Sequence, residues 1–303
     1  MQVLVVGTLG IDTVETPFGR EDDILGGSAT YASLSASFFA LPGIISVIGS
    51  DFPEDYIKLL RNNNINTDGI QKLPGRTFRW TGSYKDDLNM ATTIKTELNV
   101  LEEFKAIVPK SYRKIKYLLL GNIDPELQLK VIKQMDSPKL IVGDTMNFWI
   151  AYKNEELKRT LKYLDILVIN DAEARQLANE PNLIKASGII RKMGPKILII
   201  KKGEHGALMI SEKTHFAASA YPLEEIFDPT GAGDSFAGGL VGYLAKTGDI
   251  SEPNIRRAII YGSVMASFNV EDFSIRKLLK LKSNDILKRV KSFHKFSNFD
   301  INA

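Results

Sequence analysis

Residues 228–239 read Asp228-Pro229-Thr230-Gly231-Ala232-Gly233-Asp234-Ser235-Phe236-Ala237-Gly238-Gly239. Two glycines flank one alanine immediately before a helical pattern, Asp234–Ala245. Glycine lets successive backbone N–H groups converge on an anion. The helix adds the partial positive charge of its N-terminus and its own unpaired donors. The stretch therefore reads as a cradle for a phosphate that gains charge during transfer. Asp234 stands at the mouth of the helix. Its carboxylate can cap the helix or accept a proton from a hydroxyl beside the phosphate, and the stretch alone leaves both open. Two commoner glycine turns are excluded. A P-loop needs Gly-Lys-Ser/Thr, and no Gly-Lys pair occurs in the chain. A dinucleotide fingerprint needs a third glycine where Phe236 stands, and it belongs in the first βα turn.

Outward from this stretch, short apolar runs alternate with amphipathic ones, the pattern of parallel βαβ units. Buried strands are expected at Val3–Val6, Ile44–Gly49, Tyr117–Gly121, Leu140–Gly143, Ile166–Asn170 and Ile197–Lys201. Helices are expected at Ser28–Ala40, Pro53–Asn63, Pro125–Met135, Glu155–Tyr163, Ala172–Ala178, Leu183–Met193 and Asn254–Phe268. The rhythm breaks between about residues 70 and 98. There Thr77–Tyr84 and Thr92–Leu98 are rich in Thr and aromatic residues, with Lys85-Asp86-Asp87-Leu88-Asn89 as turn chemistry between them. An antiparallel hairpin is expected, either a plain edge or a lid over a site. The basic run Arg276–Lys295 carries Leu278, Leu279, Leu281, Ile286 and Leu287, an apolar side that would dock on the domain.

Composition narrows the classes. At 303 residues, one large α/β domain spanning 1–303 is expected, and it needs no disulfide or metal to hold its core. The chain has no cysteine, which excludes disulfides, thiol catalysis and thiolate metal sites. A net charge of +3 is too mild for a nucleic-acid footprint. No apolar run reaches the roughly 18 residues of a membrane span. Met1–Val6 reads as a first strand, without the basic leader of a signal peptide. A cytoplasmic protein with neither nucleic-acid nor membrane partners is expected. His205, His215 and His294 lack metal-ligand spacing.

The segment Asp228–Asp234 resembles the C-terminal signature of the ribokinase-like (phosphofructokinase-B-type) carbohydrate and nucleoside kinases. Other segments are similar to that family in the expected order. Gly26-Gly27 resembles its N-terminal double glycine, and Asp12 the aspartate that binds substrate hydroxyls. Asn170-Asp171-Ala172-Glu173 resembles its Asn-x-x-Glu motif, and Lys202-Gly203-Glu204-His205-Gly206 its strand-end turn near the nucleotide. The likeness runs from Val3 to about Leu279.

This resemblance implies a doubly wound, mostly parallel α/β sheet flanked by helices, with a small inserted β lid at about 70–98 that often forms a homodimer interface. It implies phosphotransfer from ATP, with magnesium, to an alcohol. Asp234 is then the general base, and Gly231, Ala232 and Gly233 form the anion hole. Asn170 and Glu173 would hold magnesium through water. Thr230, Lys202, Gly203 and Gly206 would lie with the nucleotide. Asp12, Gly26 and Gly27 would meet the acceptor. A monovalent cation such as potassium activates some relatives through backbone oxygens near the signature and around Ala266 to Phe273. The chain departs from the sugar-kinase pattern at Tyr31, where an Asn usually binds a sugar hydroxyl. Asp144 and Asn147, after a strand, are further substrate candidates, because strand C-termini face the ligand crevice. Phe78 and Trp80 offer aromatic faces for a ring. A small sugar or sugar derivative is the expected acceptor, a nucleoside the alternative, and a non-catalytic ligand-binding regulator the third reading.

Overall fold

The computed structural model describes residues 1–85 and 87–297. Its strands are β1 (Val3–Val6), β2 (Gly10–Thr16), β3 (Gly19–Gly26), β4 (Pro42–Ile48), β5 (Ile70–Lys72), β6 (Arg79–Ser83), β7 (Thr92–Glu97), β8 (Tyr117–Leu120), β9 (Leu140–Gly143), β10 (Ile166–Asn170), β11 (Ile197–Lys201), β12 (Ala207–Ile210) and β13 (His215–Ala218). Nine of them form one sheet in the order β13-β12-β11-β10-β9-β8-β1-β4-β5. It is parallel from β11 to β5, and β12 and β13 close one side antiparallel.

The central strands are apolar on both faces because helices cover both. Val3, Val5, Leu119, Val142, Val168 and Ile199 point to one layer, with the helices Ser28–Ser37, Ala232–Thr247 and Glu252–Asn269. Leu4, Val6, Leu118, Leu120, Leu167 and Ile200 point to the other, with Pro125–Ile132, Asn154–Leu161, Asp171–Ala178 and Leu183–Arg191. Each strand thus serves two cores through its alternation of side chains. The basic C-terminal run forms two helices, Arg276–Leu279 and Ser283–Ser297. It docks through buried Leu278, Ile286 and Phe293, and Arg289 lies 3.4 Å over the Phe268 ring and 2.6 Å from Glu271.

The lid is larger than the hairpin read from sequence. It is a separate four-stranded sheet, β3-β2-β6-β7. The β2–β3 and β6–β7 pairs are antiparallel hairpins, joined through parallel pairing of β2 with β6. Half of the lid therefore comes from residues 10–26, and Ile70–Lys72 belongs to the main sheet beside β4. The charged residues of Gly19–Gly26 hide this strand, because most of its first five positions face solvent. Of the turn Lys85–Asn89, Asp86 lies outside the described residues. In the rest of it, Asp87 Oδ1 accepts the Asn89 N–H at 2.8 Å, a local turn bond. Among the described residues no helix is long and apolar enough to cross a membrane.

Candidate active site

The site lies where β9, β10 and β11 end, opposite the start of the helix Ala232–Thr247 and beneath the lid. Gly231 is the N-cap of that helix, at φ +75°, where glycine is favoured. A Cβ there would overlap the ring of Tyr31, which stands against the loop and is 1% exposed. No side chain caps the helix. Asp234 therefore does not use its carboxylate as a cap, although it sits in the first turn. The Ala232 N–H is turned back to the Pro229 carbonyl at 3.1 Å. Among the described residues the N–H groups of Gly231, Gly233 and Asp234 have no protein acceptor. The free donors thus differ by one from the trio expected, with Asp234 N–H in place of Ala232 N–H.

The loop before the helix is fixed from beneath. Asp228 is fully buried, and its carboxylate accepts the N–H of Thr230 at 2.9 Å and of Ser274 at 3.0 Å. Burial still pushes its pKa up. Asn269 donates to the Thr230 carbonyl at 2.8 Å and accepts from Ser235 Oγ at 3.1 Å. The Thr230 hydroxyl donates to Tyr84 Oη of the lid at 3.2 Å. The glycine loop is thus held by a buried carboxylate, a buried amide and the lid.

Asp234 faces a cluster of charge. Asp144 follows β9 and is 6% exposed. Lys201 closes β11, and its ammonium lies 3.1 Å from Asp144 Oδ2. A Cβ at Gly233 would lie 2.7 Å from that ammonium, so the lysine rests directly against the anion loop. Burial raises the Asp234 pKa to about 7; the Asp144 charge adds to the rise and Lys201 opposes it. Burial alone would lower the Lys201 pKa, but Asp144, Glu173 and Asp234 outweigh it and hold the group charged.

Asn170 and Glu173 form a reciprocal capping box on the helix Asp171–Ala178. Asn170 Oδ1 accepts the Glu173 N–H at 2.8 Å, and Glu173 Oε2 accepts the Asn170 N–H at 2.8 Å. Glu173 is held above its ordinary pKa by burial, with Lys201 opposing. Its Oε1 is left over from the cap. Among the described residues no three acidic or histidine side chains converge closely enough to hold a metal ion by themselves. With only the spare Glu173 oxygen at hand among these residues, magnesium would have to be carried on nucleotide phosphates and would meet Glu173 through water, since this ion keeps several waters.

The opposite wall is built from the lid. Asp12 lies within β2 and is 3% exposed. Burial raises its pKa to about 7, reinforced by the charge of Asp228. A Cβ at Gly26 would overlap its carboxylate, and one at Gly27, at φ +91°, would lie 2.5 Å from the Thr8 carbonyl. Both glycines are thereby explained by close approach. Among the described residues, Asp12 Oδ1 and the Tyr31 hydroxyl are buried without a hydrogen-bond partner. Phe78 stands beside Gly10, next to Asp12. Trp80 instead packs over Gly82 and donates to Thr93 Oγ1 at 3.2 Å, within the lid.

Not every expected residue joins the cluster. Asn147 is exposed at the start of a short helix, Asn147–Tyr152, and its Oδ1 accepts the adjacent Phe148 N–H at 2.9 Å. Lys202 contributes its backbone N–H to the Gly206 carbonyl at 2.8 Å, shaping the turn between β11 and β12. Gly203 of that turn lies against Asn89, so the lid reaches across to it. Lys201, Tyr84, Asp228 and Asn269 are site residues that the sequence reading did not assign. Lys201 was open to detection as the last residue of an expected strand, whereas Tyr84 and Asn269 reach the loop only through tertiary packing.

The fold and this site define a phosphotransferase of the ribokinase-like class. The family description "pfkB family carbohydrate kinase" matches residues 22–280. The chain belongs to the PfkB family of carbohydrate and nucleoside kinases. It is 31% identical to a cytidine kinase of Thermococcus kodakarensis over 253 residues, covering 80% of this chain and 88% of that one. The nucleoside kinase structure of Methanocaldococcus jannaschii superposes with a TM-score of 0.78 at 20% identity, covering 96% of this chain and 99% of the other. Aminoimidazole riboside kinase from Salmonella enterica, solved with aminoimidazole riboside and an ATP analogue, gives 0.76 at 17% identity, covering 96% and 100%.

Proposed function

We propose that the chain is a nucleoside kinase that transfers the γ-phosphoryl group of ATP to a ribose hydroxyl. The observation that carries this reading is a pair of orphaned buried polar atoms, the Tyr31 hydroxyl and Asp12 Oδ1, the latter close to the Phe78 ring. Buried polar groups without partners are expensive unless a ligand satisfies them. A ribose offers hydroxyls to both atoms, and a base offers a flat face to Phe78. The likeness to a cytidine kinase supports a nucleoside over a free sugar.

In this mechanism the acceptor hydroxyl oxygen attacks the γ-phosphorus. The bond from that phosphorus to the bridging oxygen breaks, and ADP leaves with the bonding electron pair. The hydroxyl proton passes to Asp234, whose carboxylate faces the site uncapped. The free N–H groups of Gly231, Gly233 and Asp234 meet the charge that spreads over the phosphoryl oxygens. Magnesium, when bound, neutralises phosphate charge, and Glu173 would hold it through water. The lid excludes water from the transferring group.

The test is ADP release from ATP and magnesium across cytidine, the other nucleosides, ribose, ketoses and aldoses, with Asp234→Asn alongside. General-base removal lowers kcat by about 10²–10⁴-fold, with nucleotide binding retained. A free sugar turned over better than every nucleoside would overturn the acceptor assignment. A homodimer through the lid is part of the same proposal. Ile94, 59% exposed on the edge strand β7, is its natural contact, and Ile94→Lys should leave a monomer in sedimentation.

A further inference from the structure

The chain lacks the Gly-Lys pair by which a P-loop brings a cation to the phosphates. The lysine marked by resemblance, Lys202, serves the site through its backbone turn. Charge balance around the phosphate cradle is accordingly unusual. Asp144, Glu173 and Asp234 all act on the one ammonium of Lys201. Asp144, with Asp234 and Glu173 when they ionise, would repel a polyphosphate, so the ammonium among them matters more than its single charge suggests.

The placement of Lys201 is specific. Its side chain is 19% exposed and that of its partner Asp144 7%, so the pair is largely withdrawn from solvent. Its ammonium lies directly against the loop, 2.7 Å from where a Cβ at Gly233 would stand. Gly233 also presents one of the free N–H groups. The ammonium at the end of β11 and the backbone donors of the loop are therefore neighbours. Asp144 occupies one direction of the ammonium, and a lysine carries three donors.

We propose that Lys201 is the cation of the phosphoryl site, held ready by Asp144 and contacting the γ-phosphoryl group in the bound nucleotide and during its transfer. The lysine neither gains nor loses a proton. It supplies charge, while the hydroxyl proton still goes to Asp234. The proposal rests on the phosphotransfer reading, but its central test needs no turnover.

The decisive experiment measures binding of AMPPNP and of ADP, each with magnesium, to the full chain by titration calorimetry. It compares wild type with Lys201→Met, Lys201→Arg and the paired change Lys201→Met with Asp144→Asn. The paired variant removes both charges, so it avoids leaving Asp144 buried and unpaired, and melting curves report that each variant is folded. The expected result is an AMPPNP affinity at least tenfold weaker in both methionine variants, with ADP affinity within threefold of wild type. Lys201→Arg should recover part of the AMPPNP preference. In turnover assays Lys201→Met should lose about 10²–10³-fold in kcat, as for other donors to a transition-state charge. An unchanged AMPPNP-to-ADP ratio in the folded paired variant overturns the proposal, as does a wild-type chain that binds neither nucleotide. A chain with the Lys201-dependent ratio that phosphorylates no nucleoside or sugar would sink the kinase reading and leave this assignment standing.

Discussion

Single carboxylates in this site are tuned by their neighbours. Asp234 titrates near 7 because burial disfavours its charged form, Asp144 adds repulsion, and Lys201 partly compensates. A general base works only when ionised, so kcat/KM should rise with pH through a limb centred near that value. Asp144→Asn removes the repelling charge and should move the limb to lower pH. A pH–rate profile of the two proteins checks both statements, and a limb that stays put would deny Asp144 that influence. On the acceptor side, Gly26 has no room for a Cβ because the Asp12 carboxylate fills the space. Gly26→Ala should displace Asp12 and raise KM for the acceptor by about tenfold or more, roughly 1.4 kcal/mol of binding. The KM for nucleotide should hardly change, which separates a local defect from a general one.

At the scale of elements, one short motif does two jobs. The Asn170–Glu173 pair starts the helix Asp171–Ala178 by bonding each other's backbone. In the proposed reaction the same glutamate would turn the oxygen that the cap leaves over to magnesium. Glu173→Gln keeps an acceptor for the Asn170 N–H, so the helix should stay capped and the melting temperature nearly unchanged. The magnesium concentration for half-maximal activity should rise several-fold, because a neutral amide attracts hydrated magnesium less than a carboxylate. A titration of magnesium at saturating nucleotide tests this, and an unchanged requirement would confine Glu173 to capping.

What the sequence made legible follows from periodicity and local chemistry. Leu140–Gly143, Ile166–Asn170 and Ile197–Lys201 are seen as read, since fully buried parallel strands are continuous apolar runs. The strand Gly19–Gly26 is hidden in the sequence because its charged residues face solvent, and the hairpin it forms with β2 joins the rest of the lid only through the pairing of β2 with β6, far along the chain. Asp12 is expected from the sequence to meet substrate hydroxyls, while its place inside the lid depends on that long-range pairing. Lys201 was passed over for Lys202 because adjacent residues on a strand point to opposite faces, and only the register with the anion loop decides which lysine reaches it.

For the whole molecule, a site prepared for ligand holds charges that the empty fold would rather not carry. Asp12 and Asp234 titrate near 7 in the folded chain, against about 4 for an unfolded aspartate. Between these values the folded state keeps protons that the unfolded state has released. Stability contributed by such groups therefore falls as pH rises from about 4 to about 7, and is lowest above that window. The ligand-free protein should accordingly gain from Asp12→Asn at pH 8, by a few degrees in Tm at about 2–4 °C per kcal/mol. The gain should shrink towards pH 5 and vanish below about pH 3, where the native carboxyl is protonated in both states. Acceptor nucleoside should raise the Tm of wild type more than that of the variant, because ribose hydroxyls supply the partner that Asp12 Oδ1 lacks. Thermal melts across pH, with and without nucleoside, test the whole relation. A variant no more stable than wild type at pH 8 would mean that Asp12 already has its charge satisfied, and that the lid closes over a site with nothing left to offer a hydroxyl.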